Sequence, residues 1–249
     1  MIFFIAIFAL MIFVLFSILT HQRHTAPDRV YRFDFEQPLT DEEKEFWLIS
    51  RWGEFRPEST SISVKDGALH LIGDMPTPFL MSKPIDITPR NVITVERRVR
   101  LTKGRGAFSG GFALYQTEDM GLIPAEADGE WSRRLGDGIV LVEYSHDLLY
   151  KSTRPGRDVF RFLASDWEYN RNFELIQPIY DQWVVERLVF DMRTNQMTYR
   201  IEDHEYRLNS YSIDKSAFRV LMHSFATEPG SKIEIDYIEI KVEDKGQRR

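Results

Sequence analysis

The chain has 249 residues, no cysteine and a formal net charge of -6. Without cysteine there can be no disulfide, no thiol catalysis and no thiolate metal site. The acidic balance argues against a nucleic acid partner, because contacting phosphates calls for clustered Lys and Arg.

Residues Ile2 to Leu19 (IFFIAIFALMIFVLFSIL) carry no charge. At about 1.5 Å per residue, a helix of this length just spans a hydrocarbon core of roughly 30 Å. No Lys or Arg precedes the run, and SILTHQRH offers no small-x-small cleavage site. Segment 1–20 is therefore read as an uncleaved transmembrane helix, a signal-anchor seated in the lipid bilayer, with a cleaved signal as the competing reading and 21–30 as a polar linker. Arg23 and Arg29 follow the span, and taken literally the positive-inside rule would keep the next domain in the cytoplasm.

From Tyr31 the chain reads as strands and turns, giving a β-sandwich over 31–243 and a charged tail at 244–249. DEEKEFW (Asp41 to Trp47) is the one short helix beyond the anchor. SISVKDGALHLIG (Ser61 to Gly73) reads as strand, Asp-Gly turn and strand, a hairpin signal. NVITVERRVRL (Asn91 to Leu101) alternates and is rich in β-branched residues. Its basic cluster, Arg97, Arg98 and Arg100, is read as a solvated sheet face interrupted by Glu96. QWVVERLVFDMRTNQMTYRIEDHEYRL (Gln182 to Leu208) supplies further strands, with a turn at an Asn and another near Glu202. FRVLMHSF follows, and KIEIDYIEIKV (Lys232 to Val242) closes the domain. Strict period-two alternation there sets Ile233, Ile235, Tyr237 and Glu239 against Glu234, Asp236, Ile238 and Ile240. Many short strands with frequent turns predict an all-β antiparallel sandwich or jelly roll.

FDFEQPL with its EFW segment, SISVKDGALHL, SGGFALY, QWVVERLVFD, FRVLMHSF and IEIDYIEIKV occur in that order. Together they resemble the concanavalin A-like lectin/glucanase superfamily, which includes L-type lectins, laminin-G-like modules and laminarinase-like hydrolases. The resemblance implies a concanavalin A-like jelly roll, a glycan or surface-protein ligand, and an extracytoplasmic position for the soluble domain.

A hydrolase of this superfamily would carry Glu-x-Asp-x-Glu on one strand, its outer carboxyls roughly 5–5.5 Å apart. That spelling occurs at Glu126 to Glu130, but Pro124, Ala127 and the Asp128-Gly129 turn signal make an acidic loop instead. On GDGIVLVEY (Gly136 to Tyr144), Glu143 would share a strand face with Leu141, Ile139 and Asp137. Asp137 is about 20 Å away at roughly 3.3 Å per residue, so Glu143 needs a partner from another strand.

GDGIVLV also resembles the lectin strand (A/G)-D-G-(I/L/F)-A-F. The resemblance makes Asp137 a sugar-hydroxyl acceptor, with Glu143 and Tyr144 on the same strand as ligand candidates; the competing reading of Asp137 is a turn residue before a strand. Trp131 and Trp167 sit in charged, loop-like segments and are the aromatic candidates for ligand contact. Trp47, Trp52 and Trp183 are read as core. The glucanase branch implies a structural calcium at Asp236 and the backbone of Gly67, with Asp34 or Glu36 nearby; the alternative is an Asp236 bonded to its neighbouring strand. The six histidines form no zinc-type spacing. The reading is a membrane-anchored, non-catalytic carbohydrate- or partner-binding sandwich; the alternatives are a glycoside hydrolase or lyase whose catalytic candidates are Glu126 and Glu130, or Glu143 with a partner from another strand, and a structural subunit of a membrane assembly.

Overall fold

The computed structural model describes residues 28–51, 62–73, 78–104, 108–115, 138–146, 158–164, 173–209, 217–226 and 230–246. Segment 1–20 and most of the linker lie outside them. Among the described residues no helix is long and apolar enough to cross a membrane.

Two antiparallel sheets form a sandwich. The first contains β1 (Arg29–Asp34), β3 (Ile62–Lys65), β4 (Ala68–Ile72), β7 (Asn91–Thr102), β12 (Trp183–Asp191), β13 (Gln196–Ile201), β14 (His204–Asn209) and β16 (Lys232–Asp244). They lie in the order β14-β13-β12-β7-β16-β4-β3, with β1 beside the other half of β16. The second contains β2 (Trp47–Arg51), β5 (Pro78–Ser82), β6 (Ile85–Asp86), β8 (Phe108–Tyr115), β9 (Gly138–His146), β10 (Asp158–Ala164), β11 (Phe173–Ile176) and β15 (Ala217–Ala226). Its order is β11-β10-β9-β8-β15-β5-β2, with β6 on the start of β15.

Alternation decides which side of each strand is inside. On β7, Ile93, Val95, Val99 and Leu101 are buried, and on β12 Val184, Leu188 and Phe190 are. From the second sheet, Leu80, Leu114, Phe162, Phe218, Val220 and Met222 join the same core. The predicted hairpin is present. Asp66 (φ 52°) and Gly67 (φ 74°) form its turn, in the left-handed region that an Asp-Gly pair tolerates. The helix α1 (Asp41–Phe46) starts on a capping box, Thr40 Oγ1 accepting from the Glu43 amide and Glu43 from the Thr40 amide. It delivers Phe46 and Trp47 onto Phe33, with ring centroids 4.7 to 5.1 Å apart.

Two sequence expectations change here. The closing strand does not alternate strictly, because its register against β7 shifts between Ile235 and Tyr237, leaving Asp236 as the extra residue of a β-bulge. The bulge reverses the parity. Ile233 and Ile235 before it, and Ile238, Ile240 and Val242 after it, all enter the core. Arg97 is the second change. It stands on the inward parity of β7, 0% exposed, while Arg98 and Arg100 remain on the outer face.

Candidate ligand-binding pole

Strand β9 carries the opening candidates. Glu143 is the Cα partner of Gly111 on β8 and Arg161 on β10; Tyr144 is the partner of Gly110 and Phe160. The Gly110 row continues to Ser224, and the adjacent Phe112 row carries Met222 and Phe162, both buried in the core. Tyr144 therefore has the inward parity and Glu143 the outward one. The two residues stand on opposite faces of the sheet.

The row of Glu143 runs through Arg161, Gly111, His223, Phe79 and Ser50. Directly opposed residues on neighbouring strands have side chains about 5 Å apart, the spacing a retaining pair requires. Both cross-strand neighbours of Glu143 lack a carboxyl. Among the described residues of β2, β5, β8, β9, β10, β11 and β15, Glu143 is the one acid at an outward register position, since Asp158 and Glu174 share the parity of Phe162. The outer face is also closed over β15 and β5. Phe79, Met81 and Leu221 are each 1% exposed there, and Arg219, 4% exposed, donates to the Ser82 carbonyl at 3.2 Å. That half of the face is not a groove open to solvent.

The pole is the other place where candidates gather. The chain leaves β8 at Tyr115 and rejoins at Gly138, and these two are Cα partners. It leaves β10 at Ala164 and rejoins at Phe173, each beside the partner of the next strand. It passes from β14 at Asn209 to β15 at Ala217. In the register all six strand ends fall at one end of the sandwich. Glu126, Glu130, Trp131 and Asp137 belong to the connection 116–137 and Trp167 to 165–172, which lie outside the described residues.

At the hairpin site, Asp236 is held by its own strand neighbours. Its carboxylate Oδ2 accepts from Arg98 Nη1 at 2.7 Å and its carbonyl from the Phe35 amide at 3.1 Å. A calcium ion at Asp236 and Gly67 requires that guanidinium to give way. Among the described residues, no three His, Asp or Glu side chains form a cluster able to hold a metal.

The outer face of the first sheet is a lattice of alternating charge that sequence reading does not resolve. Glu234 (3% exposed) accepts twice from Arg100 at 2.8 Å, with Lys232 Nζ at 3.1 Å and His70 Nδ1 at 3.7 Å. Burial pushes the Glu234 carboxyl up, and the Arg100 and Lys232 hydrogen bonds outweigh it, leaving the group below its ordinary value. Glu96 behaves alike through Arg187 and Tyr237, and burial together with Glu96 raises the Tyr237 phenol to about 12. Trp183 is part of this face rather than of the core: the guanidiniums of Arg98 and Arg100 lie 5.2 and 4.8 Å from its ring centre. Trp47 is core, as its sequence surroundings indicate, and Trp52 lies outside the described residues. Arg98, Arg100 and Arg187 are each matched by an acid on the next strand and Lys232 by Glu234 on its own, so this part of the face offers a polyanion little uncompensated charge.

No family model and no curated protein matches this sequence. Solved structures do. The carbohydrate recognition domain of Emp46p in its potassium-bound form superposes with a TM-score of 0.60 at 14% identity, over 87% of this chain and 98% of that one. Lectin II from Ulex europaeus gives 0.61 at 10% identity, over 86% and 98%. Winged bean acidic lectin complexed with methyl-alpha-D-galactose gives 0.58 at 11% identity, over 87% and 99%. The fold is the concanavalin A-like jelly roll. The likeness covers the whole of each lectin domain, and at these identities it establishes the architecture alone.

Proposed function

We propose that this chain is a membrane-anchored, lectin-like module that binds carbohydrate without cleaving it, with Asp137, Trp131 and Trp167 at the Gly138 pole as contacts. The observation carrying this reading is the whole-domain likeness to proteins named as lectins and a carbohydrate recognition domain. Neither cross-strand neighbour of Glu143, Gly111 or Arg161, carries a carboxyl, which supports binding over hydrolysis. Segment 1–20 anchors the chain, and the sandwich sits on the extracytoplasmic side, where glycans are displayed. Calcium at Asp236 and Gly67 is a structural addition to this reading, and it opens the Arg98 ion pair.

The test is a glycan array probed with the full chain in detergent, with and without chelator, alongside a β-glucan hydrolysis assay. Saturable binding to a defined set of glycans, with no released sugar, is expected. Released reducing sugar would replace the reading with a glycoside hydrolase, and no glycan bound in either condition would remove it.

A further inference from the structure

One unbroken row of charge crosses the outer face of the first sheet. Directly opposed residues run Glu205 on β14, Arg200 on β13, Arg187 on β12, Glu96 on β7, Glu239 on β16 and Arg32 on β1. Within the row Glu205 pairs with Arg200, Glu96 with Arg187, and Glu239 with Arg32 at 3.5 Å. Two neighbours are alike in sign: Arg200 directly opposes Arg187, and Glu96 directly opposes Glu239. Like charges so placed repel. Lys241 Nζ and the Tyr237 hydroxyl touch Glu239 and Glu96 and soften the acidic contact without removing it. The row is open to solvent, and the two exposed large hydrophobics among the described residues, Val30 and Val185, stand on the same face.

From β14 to β1 the row runs acid, base, base, acid, acid, base, and from β1 to β14 every sign is reversed. A two-fold axis parallel to the strands, between β12 and β7, lays the row of a second copy on the first in reversed order. Glu205 then faces Arg32 of the second copy, Arg200 faces Glu239, and Arg187 faces Glu96, each contact made twice. Both like-charged pairs meet opposite charge. An axis across the strands, along the same row, sets Glu on Glu and Arg on Arg, so the pattern selects one arrangement. Strands lie about 4.8 Å apart and β12 spans about 27 Å, which gives these six strands roughly 650 Å² of face per copy. A specific dimer buries about 600–1,000 Å² per partner. Twisted sheets pack at about 30°, so the central strands β13, β12, β7 and β16 come closest.

We propose that the outer face of the first sheet is a homodimer interface, in which two copies meet face to face about an axis parallel to β7 and β12. The occupant is a second copy because the charge row is its own complement. The face also carries Arg, Trp and Tyr, the residue types enriched at interface hot spots, with Arg100 over the Trp183 ring and Arg32 over the Tyr237 ring. Near the axis Val185 faces Arg98 of the second copy and Val189 faces Thr94. The second sheet of each copy stays on the outside, so the interface stands independently of the carbohydrate reading.

Arg200 and Glu239 stand three strands apart, about 14 Å within one copy, and meet only across the interface. The full chain in detergent is measured by size exclusion with light scattering as wild type, Arg200→Glu, Glu239→Arg, the double variant, and an equimolar mixture of the two single variants. The wild type should be dimeric. Each single variant sets like charges together twice and should weaken association by about a hundredfold or more. The double variant and the mixture restore opposite charges and should dimerise again. These are surface pairs, so circular dichroism melts should stay near wild type. Should one variant fail to melt cooperatively, Arg32→Glu with Glu205→Arg repeats the test at the ends of the row. A wild type still monomeric at about 0.1 mM, single variants that remain dimeric, or a double variant and mixture that stay monomeric would each overturn the proposal. With no native cysteine, a short bis-maleimide locates the axis. Val189→Cys chains, beside it, should couple to one another, and Arg207→Cys chains, about 24 Å apart across it, should not. Equal or reversed coupling overturns the arrangement.

Discussion

Arg97 and Glu186 are directly opposed on β7 and β12, both 0% exposed, with Arg97 Nε donating to Glu186 Oε2 at 2.7 Å inside the sandwich. Tyr199 lies in the same interior, its ring 5.6 Å from that of Phe162 on the opposite sheet. Burial drives the Tyr199 phenol well above its ordinary value, and the Glu186 charge adds to it. Removing one member of a buried pair leaves the other charge uncompensated, which costs about 3–5 kcal/mol. Glu186→Ala should therefore lower the urea midpoint steeply in a fragment beginning at Asp28. The double change Arg97→Met with Glu186→Leu should recover most of the loss, since a matched apolar replacement carries no desolvation penalty. If the double variant is no more stable than the single, the pair is not the source of the effect.

The bulge at Asp236 makes a second, sharper prediction. Asp236→Ala removes an ion pair whose side chains are 45% and 32% exposed, and such pairs contribute at most about 1 kcal/mol. Deleting Asp236 removes the bulge and nothing else of the register: Ile235, Tyr237 and Ile238 then oppose Val99, Arg98 and Arg97 without a shift, so Ile238, Ile240 and Val242 keep the core face. Deleting Glu239, beyond the bulge, instead turns Ile240 and Val242 outward or shifts the end of the strand against β7. Each aliphatic side chain brought out of the core costs roughly 1.5–3 kcal/mol, a large part of the stability of a marginally stable domain. Circular dichroism of the three variants separates the outcomes: a near-native melt for the substitution and for the Asp236 deletion, and a steeply lowered melt for the Glu239 deletion.

Stability should fall in acid, in two steps. Burial holds the His70 imidazole below its ordinary value of 6.5, partly offset by Glu234. The unfolded chain then takes up this proton first, so stability is full above about pH 6.5 and declines as pH falls toward the depressed folded value. Glu234 and Glu96 lie below their ordinary value of 4.5 when folded, and their contribution is present above that pH and lost as pH drops through their folded values. Urea midpoints measured from about pH 7 to about pH 4 should show both steps, the upper one absent in His70→Gln. An upper step that persists in that variant would assign it to another group.

Binding should depend on Asp137 and not on Glu143. A hydrogen bond to a charged acceptor is worth about 1.5–3 kcal/mol, so Asp137→Asn should weaken glycan binding by about tenfold to a hundredfold. Glu143→Gln, on the sheet face away from the pole, should leave it within a few-fold. Titrations on the array glycans measure both, and an unaffected Asp137→Asn protein would make that residue a turn former only.

Much of this protein was legible in local sequence. The Asp-Gly turn at Asp66 and Gly67, the capped helix at Asp41, and the alternating β7 and β12 follow from turn chemistry and side-chain period, which involve neighbours in the chain. Strand content and sandwich class come from the same source. Parity and pairing do not. The aliphatic run of the last strand changes phase between Ile235 and Ile238, but that the phase change is a bulge with Asp236 as the extra residue is decided by the register against a strand more than a hundred residues earlier. Arg97 reads like Arg98 and Arg100 until β12 sets Glu186 opposite it. Glu143 and Tyr144, neighbours on one strand, are sent to opposite faces by the core residues of the strands beside them, and Arg32 joins the row of Glu96 and Glu239 only because β1 runs against β16. These are long-range pairings, and the tertiary structure alone decides them.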